Sequence, residues 1–470
     1  MLGHQEASPH PFLYPTGEPG KFYVSPKSSF LELDQTAVQI FHQLKTGADT
    51  PQISTELNMP EGEVQTVVNT LHELGLLDES LTAEVRQPDV LSVYIELTEA
   101  CNFSCSGCAT AVDINSEAAQ HMSSEFLETQ LERIFATAVD RGFKRVKLKF
   151  AGGEPLLKSI YQKIILAQPQ IAQLTEATGI EVDQVVLTNG VFIKQALPEL
   201  ENIPGIRFAV SIWGLPSSNH TIRKAKSKTD TYKSIQQGLW MLEKKQMPFN
   251  VQHTITPQNA HQFAAFLESM WDYRSKNYIG VDQSTGQQHI FRPIPVSFSI
   301  FRPQNTFQFE QMQRLQGYEK MVDGILKGIA YAESLVQKGI IPLEFLKKFD
   351  YVNLKQQKLT TCGTGINYIA IGPNKAAQPC HQLLHTAPQA RRESAVDILN
   401  EANENQLISI ALNQDMQDQD LHTKLLLTLH GGGGCPLVNK LNSAAQEANT
   451  FLYSQIIPAL LSVIARQSVS

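Results

Sequence analysis

Apolar residues at Val64, Val67, Val68, Leu71 and Leu74 fall at the i, i+3, i+4, i+7 spacing that buries one face of an α-helix. That helix opens near Pro60 and is expected to run to Gly75. Upstream, Lys21–Val24 and Ser29–Leu33 read as short strands. Asp34 is placed to cap a helix over 35–45, and Pro51 stands at the start of another. Small strands followed by three short helices predict a winged-helix-like module over 21–85, behind a polar, Pro- and Gly-rich lead over 1–20 expected to be unstructured. From Val90 onward β-rich runs alternate with helical stretches: LSVYIEL (91–97), RVKLKF (145–150), QVVLTN (184–189), RFAVSI (207–212), NVQHTI (250–255) and HIFRPI (289–294). Such alternation predicts an α/β fold of βα units around a buried parallel sheet, and six units fit a partial (β/α)6 TIM-like barrel over 90–300. A helical connector over 301–355, a cysteine-bearing extension over 356–445 and a closing helix over 446–470 complete the expected order.

Composition narrows the classes. The 470 residues are 42% hydrophobic and 18% charged, which excludes a disordered or fibrous chain. The opening residues hold no apolar stretch to engage a translocon, so export is not expected and the cytoplasm is, where thiols stay reduced. The late run FLYSQIIPALLSVIA (451–465) is short for a bilayer span and broken by Ser, Gln and Pro. It reads as a closing amphipathic helix, with no membrane partner. The net charge is −7, and residues 21–80 alone carry −6: Lys21, Lys27 and Lys45 against nine Asp and Glu. A winged helix of that charge, with no Lys or Arg on its third helix, excludes nucleic acid as a partner.

The pattern FLELDQTAVQIFHQLKTGAD…ISTELNMPEGEVQTVVNTLHELGLL resembles the peptide-recognition domains of ribosomal-peptide maturation enzymes, related to the small peptide chaperone of pyrroloquinoline quinone synthesis. The resemblance implies that a leader peptide adds as a strand to the small sheet and packs against the third helix. The expected wall is Phe30, Leu31 and Leu33 with Val64, Val67 and Leu71. A docking domain without a ligand is the alternative.

The first barrel strand runs into CNFSCSGC, which sets Cys101, Cys105 and Cys108 on one loop. Three thiolates at C-x3-C-x2-C suit three irons of a [4Fe–4S] cluster and leave the fourth iron open. A structural zinc would need a fourth ligand nearby, and the next histidine is His121. This spacing resembles the radical S-adenosylmethionine (radical SAM) enzymes, and later motifs follow in that family's order. Gly152, Gly153 and Glu154 match its GGEP turn, Asn189 its TNG turn, Ser211 the position that meets the ribose, and Arg223 the arginine that pairs the methionine carboxylate. The resemblance implies that glycine lets backbone approach the methionine ammonium while Glu154 accepts a hydrogen bond from it. It further implies a 5′-deoxyadenosyl radical that takes hydrogen from an unactivated C–H, with the hard chemistry carried by the cofactor. No general acid or base is assigned. Two departures stand out: Gly107 replaces an aromatic residue before the third cysteine, and Trp213 replaces an Asp. Trp213 either bears on specificity or simply packs.

Cys362, Cys380 and Cys435 lie late in the chain. CGTGINYIAIGPNKAAQPC, with a hairpin around Pro373 and Asn374, resembles the SPASM or shorter twitch extensions that carry auxiliary iron–sulfur clusters. Three cysteines support at most one such cluster, with an open iron or a non-Cys fourth ligand such as His381; three unligated structural cysteines are the alternative. Lys375 stands where relatives often have Gly. The expected function is a radical SAM maturase of a ribosomally made precursor peptide, fed by flavodoxin or ferredoxin and forming a C–C or thioether crosslink. The alternatives are a maturase or oxidase of the anaerobic sulfatase-maturing type, a small-molecule enzyme, and a non-catalytic peptide-binding scaffold.

Overall fold

The structure is a computed structural model. It describes residues 13–15, 21–24, 29–74, 76–77, 88–105, 108, 112–113, 118–226, 230–271, 294–303, 305–350, 352–354, 363, 367–373, 377–386 and 443–467.

The N-terminal module holds three antiparallel strands, β1 (Leu13–Pro15), β2 (Lys21–Val24) and β3 (Ser29–Glu32), with β2 in the middle. Strand β1 lies inside the lead expected to be unstructured; three residues are too few to show a period. Helices α1 (Gln35–Lys45), α2 (Thr50–Leu57) and α3 (Glu61–Glu73) follow. Asp34 caps α1 by accepting from the Ala37 N–H at 2.7 Å, and Asp49 with Gln52 closes a capping box on α2. Ile40, Phe41, Ile53, Val64, Val68 and Leu71 form a closed core that includes Leu33.

Six parallel strands make the main sheet in sequence order: β4 (Val90–Thr98), β5 (Arg145–Gly152), β6 (Glu181–Thr188), β7 (Ile206–Ser211), β8 (Phe249–Ile255) and β9 (Val296–Ile300). The connecting helices include α4 (Ser124–Asp140), α5 (Lys158–Leu166), α6 (Gln168–Thr178), α7 (Ile193–Leu200), α8 (Pro216–Ile222), α9 (Thr231–Lys244) and α10 (Phe263–Trp271). The expected strand HIFRPI lies outside the described residues over 289–293, and the sixth strand described is VSFSI, after Pro295. Side chains alternate across the sheet. Val93, Ile95, Leu97, Val146, Leu148 and Phe150 join the apolar layer under the helices. The opposite face carries Tyr94 and Glu96 on β4, Lys147 and Lys149 on β5, and an Arg207–Asp183 pair at 3.2 Å. That face is mixed, because Tyr94, Ala151, Ala370 and Leu384 form a small apolar cluster on it beside these polar groups.

The cysteine-bearing segment is not a wholly separate extension. Its strand β10 (Tyr368–Ile371) pairs parallel with the free edge of β4, and β11 (Ala377–Gln378) pairs antiparallel with β10, which gives the expected hairpin. Eight strands thus share one sheet. An edge beside the first strand would otherwise expose unpaired backbone groups. Helices α11 (Thr306–Arg314) and α12 (Gly317–Gln337) make the connector, α13 (Leu383–Thr386) follows the hairpin, and α14 (Ser443–Gln467) closes the chain. Helix α14 is long and apolar enough to cross a membrane by composition, yet Leu452, Ile456, Ile457, Leu460, Leu461 and Ile464 are buried in the main core. Glu447, Phe451, Gln455 and Pro458 form its narrow exposed stripe. Asp350 binds Arg302 through both carboxylate oxygens (2.7 and 2.6 Å) and accepts from the Tyr453 hydroxyl, which ties α14 to the end of β9. Lys21 of the N-terminal sheet donates to the Ala465 carbonyl at 3.1 Å, so α14 also touches the module.

One core residue makes the fold acid-sensitive. His253 on β8 is fully buried, stacks on Phe266 at 4.0 Å between centroids and donates from Nδ1 to the Ile212 carbonyl at 2.9 Å. Burial lowers its pKa to about 4, the hydrogen bond opposing. The unfolded chain, near the ordinary value of about 6.5, takes up the proton first as pH falls. The stability of neutral His253 is therefore complete above about pH 6.5 and is lost progressively toward pH 4. Denaturant titrations should show His253→Phe removing roughly 2 kcal/mol of the stability difference between pH 7 and pH 4.5. An unchanged difference would place the acid sensitivity elsewhere.

Candidate active site

The strand ends carry the expected motifs to one place. Beyond β4 the chain makes two short ribbons: Ala100–Cys101 pairs with Val112–Asp113, and Phe103–Cys105 pairs antiparallel with Arg223–Ala225. That second ribbon sets Arg223 directly opposite Cys105 although they are far apart in sequence. Cys101 is buried, Cys105 half-buried and Cys108 exposed, and the Cys108 N–H closes a turn on the Cys105 carbonyl at 3.2 Å. Residues 106–107, including the Gly107 departure, lie outside the described residues.

The GGEP turn is locked onto the same segment. The Gly153 N–H donates to the Thr98 carbonyl at 2.7 Å and the Glu154 N–H to the Ala100 carbonyl at 2.9 Å. A Cβ on Gly152 would collide with the Thr98 carbonyl, and one on Gly153 with the Ala100 carbonyl. Gly152 also has φ +131°, a conformation costly for any side chain. The glycines are required first by the chain's own backbone. Glu154 is completely buried: Oε1 accepts from the Thr188 hydroxyl at 2.7 Å and the Leu156 N–H at 2.9 Å, and Oε2 from the Asn189 N–H at 2.8 Å. Burial raises its pKa, and these donors pull the other way. Two carboxylate oxygens offer about four acceptor positions, so three donors leave room for one more.

Asn189 extends the lock. Its Nδ2 donates to Asn102 Oδ1 at 2.6 Å and lies 3.9 Å from the Cys101 sulfur, while Oδ1 accepts from the Val191 N–H. The Phe103 N–H points at the same sulfur at 3.4 Å. Arg223, nearly fully buried, donates to the Ser211 carbonyl and sits against the rings of Phe103 (5.0 Å) and Trp213 (5.9 Å). Trp213 therefore packs on the guanidinium, its backbone held by Asn219 and Asn259. Ser211 contributes its carbonyl to Arg223 and is half-buried.

The surroundings of the thiols act on them in opposite directions. Burial, then the charge of Glu154, pushes Cys101 up to about 12, and the Phe103 N–H opposes. Burial raises Cys105 as well, with Arg223 the main opposing influence and Lys226 a weaker one. The Phe103 N–H and the two cations beside the loop oppose burial without overcoming it, and a bound metal would have to displace the thiol protons. Among the described residues no three His, Cys, Asp or Glu groups converge on a single metal ion.

The auxiliary set is only partly placed. Cys380 is half-buried at the end of the hairpin, while Cys362 and Cys435 lie outside the described residues, as does Lys375. His381 stacks on Tyr94 at 4.9 Å and shares a 3.0 Å hydrogen bond with the Tyr368 hydroxyl. Burial, then Lys149, Arg302 and His385, lowers its pKa to about 4. In the N-terminal module Leu33, Val64 and Leu71 face the module's own core, and Val67 is half-buried. Three of the six expected wall residues thus belong to that core, and the side chains of Phe30 and Leu31 lie outside the described residues. Phe30 and Leu31 of β3 stand in backbone register with Tyr23 and Phe22 of β2, and β3 is an edge strand among the described residues.

Sequence reasoning missed Glu96 and His385. Glu96 is fully buried on β4, and His385 Nε2 reaches both its oxygens at 3.0 and 2.9 Å. A carboxylate inside the otherwise apolar run VLSVYIELT was the available signal; its partner is 289 residues away.

No family model matches the chain, and no curated protein matches it. Solved structures share its fold. One, described as native anSMEcpe with bound AdoMet and Cp18Cys peptide, aligns at TM-score 0.55 and 15% identity over 81% of this chain and 98% of its own. Another, native anSMEcpe with bound AdoMet, aligns at 0.54 and 14% over the same shares.

The turn lock predicts an asymmetry. Gly153→Ala should cost about 1–3 kcal/mol by overpacking against Ala100. Gly62→Ala, with open space around it on α3, should be neutral or stabilising by up to about 1 kcal/mol. Denaturant midpoints measure both.

Proposed function

We propose that the chain is a radical SAM enzyme that modifies a peptide. The observation that carries the reading is that the loop of Cys101, Cys105 and Cys108 stands against the Gly152–Gly153–Glu154 turn, Asn189 and Arg223 at the ends of β4 to β7. The fold held in common with structures containing AdoMet, in one case with a peptide, supports it. The three thiols would hold a [4Fe–4S] cluster with one open iron, and the cluster with S-adenosylmethionine would supply a carbon-centred radical able to take hydrogen from an unactivated C–H.

The chain's own residues position and enclose. Glu154 keeps the GGEP and TNG turns in one geometry and has an acceptor position left for a methionine ammonium. Arg223, held by two rings, keeps a buried cation beside Cys105 for a carboxylate. Asn189, beside the Cys101 sulfur, and Ser211, whose carbonyl holds Arg223, would meet the cofactor and its ribose. Trp213 and Phe103 exclude water around the guanidinium.

The finer reading is a maturase of a ribosomally made precursor. The acidic N-terminal module would bind the leader along the β3 edge, Phe30–Leu31, rather than through the buried Val64 and Leu71. Tethering raises the effective concentration of the core peptide, and a crosslink is the favoured product. Cys362, Cys380 and Cys435 would hold one auxiliary cluster, a flavodoxin or ferredoxin would supply electrons, and the enzyme would work in the cytoplasm. The second reading, a maturase of the sulfatase-maturing type, is favoured by the shared fold with anSMEcpe.

Anaerobic reconstitution should give about four irons per chain if only the loop cluster forms and about eight if both do. With dithionite and AdoMet the wild type should release 5′-deoxyadenosine, and Cys105→Ala should release none. A wild type that releases none sinks the enzyme reading. A synthetic peptide copied from a short reading frame beside the gene should lose two mass units per crosslink; a peptide that binds but is never altered points to a scaffold.

A further inference from the structure

Beside the GGEP turn lies a carboxylate–imidazole pair, Glu96 and His385, that the motifs above leave unused. Glu96 sits two residues beyond Tyr94 on the inward face of β4, with no exposed surface. A Cβ on Gly152 would touch its Cγ at 3.2 Å, so the carboxylate lies beside the GGEP turn. His385, on α13 beyond the hairpin, brings Nε2 to 3.0 and 2.9 Å of the two Glu96 oxygens and Nδ1 to 3.9 Å of Glu99 Oε1. The imidazole keeps 19% of its side-chain surface exposed, whereas Glu96 has none. Burial raises the Glu96 pKa; His385 opposes this, and the charge of Glu99 adds to it. Other titratable groups around the pair are Tyr94 on β4, Lys149 on β5, His381 on the same segment as His385, and the thiols of Cys108 and Cys380.

A fully buried carboxylate that fixes one ring nitrogen of a partly exposed histidine orients the imidazole and stabilises its protonated form. Between two glutamates that stabilisation is larger than one carboxylate would give. We infer that Glu96, which holds Nε2, positions His385 as the proton acceptor of the peptide modification. This rests on the proposed reaction, whose atom balance releases a proton. Joining a peptide C–H to a partner X–H breaks both bonds and forms C–X. One hydrogen leaves as an atom to the adenosyl carbon. The other leaves as a proton to His385, and the remaining electron passes to a one-electron acceptor of the iron–sulfur class. A purely structural pair would also explain why α13 docks on β4, so the test must separate the two.

Two measurements on the full chain do so. The first is histidine NMR of the apoprotein, with the His385 signal assigned by its loss in His385→Gln. Glu96→Gln should lower the His385 titration midpoint by at least one pH unit; a smaller change overturns the positioning role of Glu96. The second uses the reconstituted enzyme with the synthetic peptide that the wild type converts. His385→Gln should cut the ratio of crosslinked product to 5′-deoxyadenosine at least tenfold, and Glu96→Gln should move the rising limb of that ratio to lower pH. A ratio equal to wild type in both variants overturns the inference even if product and melting temperature fall together. Absence of 5′-deoxyadenosine in the wild type instead sinks the proposed reaction, and the NMR arm still decides the pairing.

Discussion

Everything at the mouth of the sheet hangs on one buried carboxylate and two missing side chains. Glu154 binds the Thr188 hydroxyl and the Asn189 N–H, so the ends of β5 and β6 cannot move independently. Gly152 and Gly153 let that turn lie directly on Thr98 and Ala100, one residue before Cys101. Truncating a carboxylate with three donors would leave several buried polar groups unpaired, which costs more than the hydrogen bonds contribute on average. The cysteine loop therefore starts from a backbone position fixed by three strands.

The same economy runs through Arg223. Its ribbon with Phe103–Cys105 places a cation opposite the second thiol, and its guanidinium is spent partly on Ser211 and partly on two aromatic faces. Such a residue is held in place before any ligand arrives, and preorganisation lowers the cost of binding. His253 lies behind the same region and holds the Ile212 carbonyl just before Trp213. Core packing and site geometry are thus coupled through β7 and β8.

The chain ends are brought back to the barrel. Strand β10 covers the free edge of β4, α14 fills the main core through its apolar faces, and Lys21 of the N-terminal sheet reaches the last turn of that helix. A module that binds a peptide at its β3 edge would in this arrangement stand on the helix that also anchors β9 through Tyr453, Asp350 and Arg302.

Much of this was legible along the chain. Helix α1 appears with its expected bounds because Asp34 and an amphipathic period agree, and five of the six barrel strands fall within a few residues of their apolar runs. The order of Cys101, Gly152, Asn189 and Arg223 placed the site at successive strand ends. The expected run over 289–293 lies outside the described residues, and pairing with β8 identifies 296–300 as the sixth strand described, which local β-richness alone does not. Burial of Leu33, Val64 and Leu71 was hidden because an apolar stripe looks alike whether it meets its own core or a ligand. Strand β10 beside β4, Arg223 opposite Cys105, and His385 against Glu96 were beyond the sequence for one reason. Local periodicity reports which face is buried, but a contact across 289 residues exists only once the sheet has chosen its neighbours.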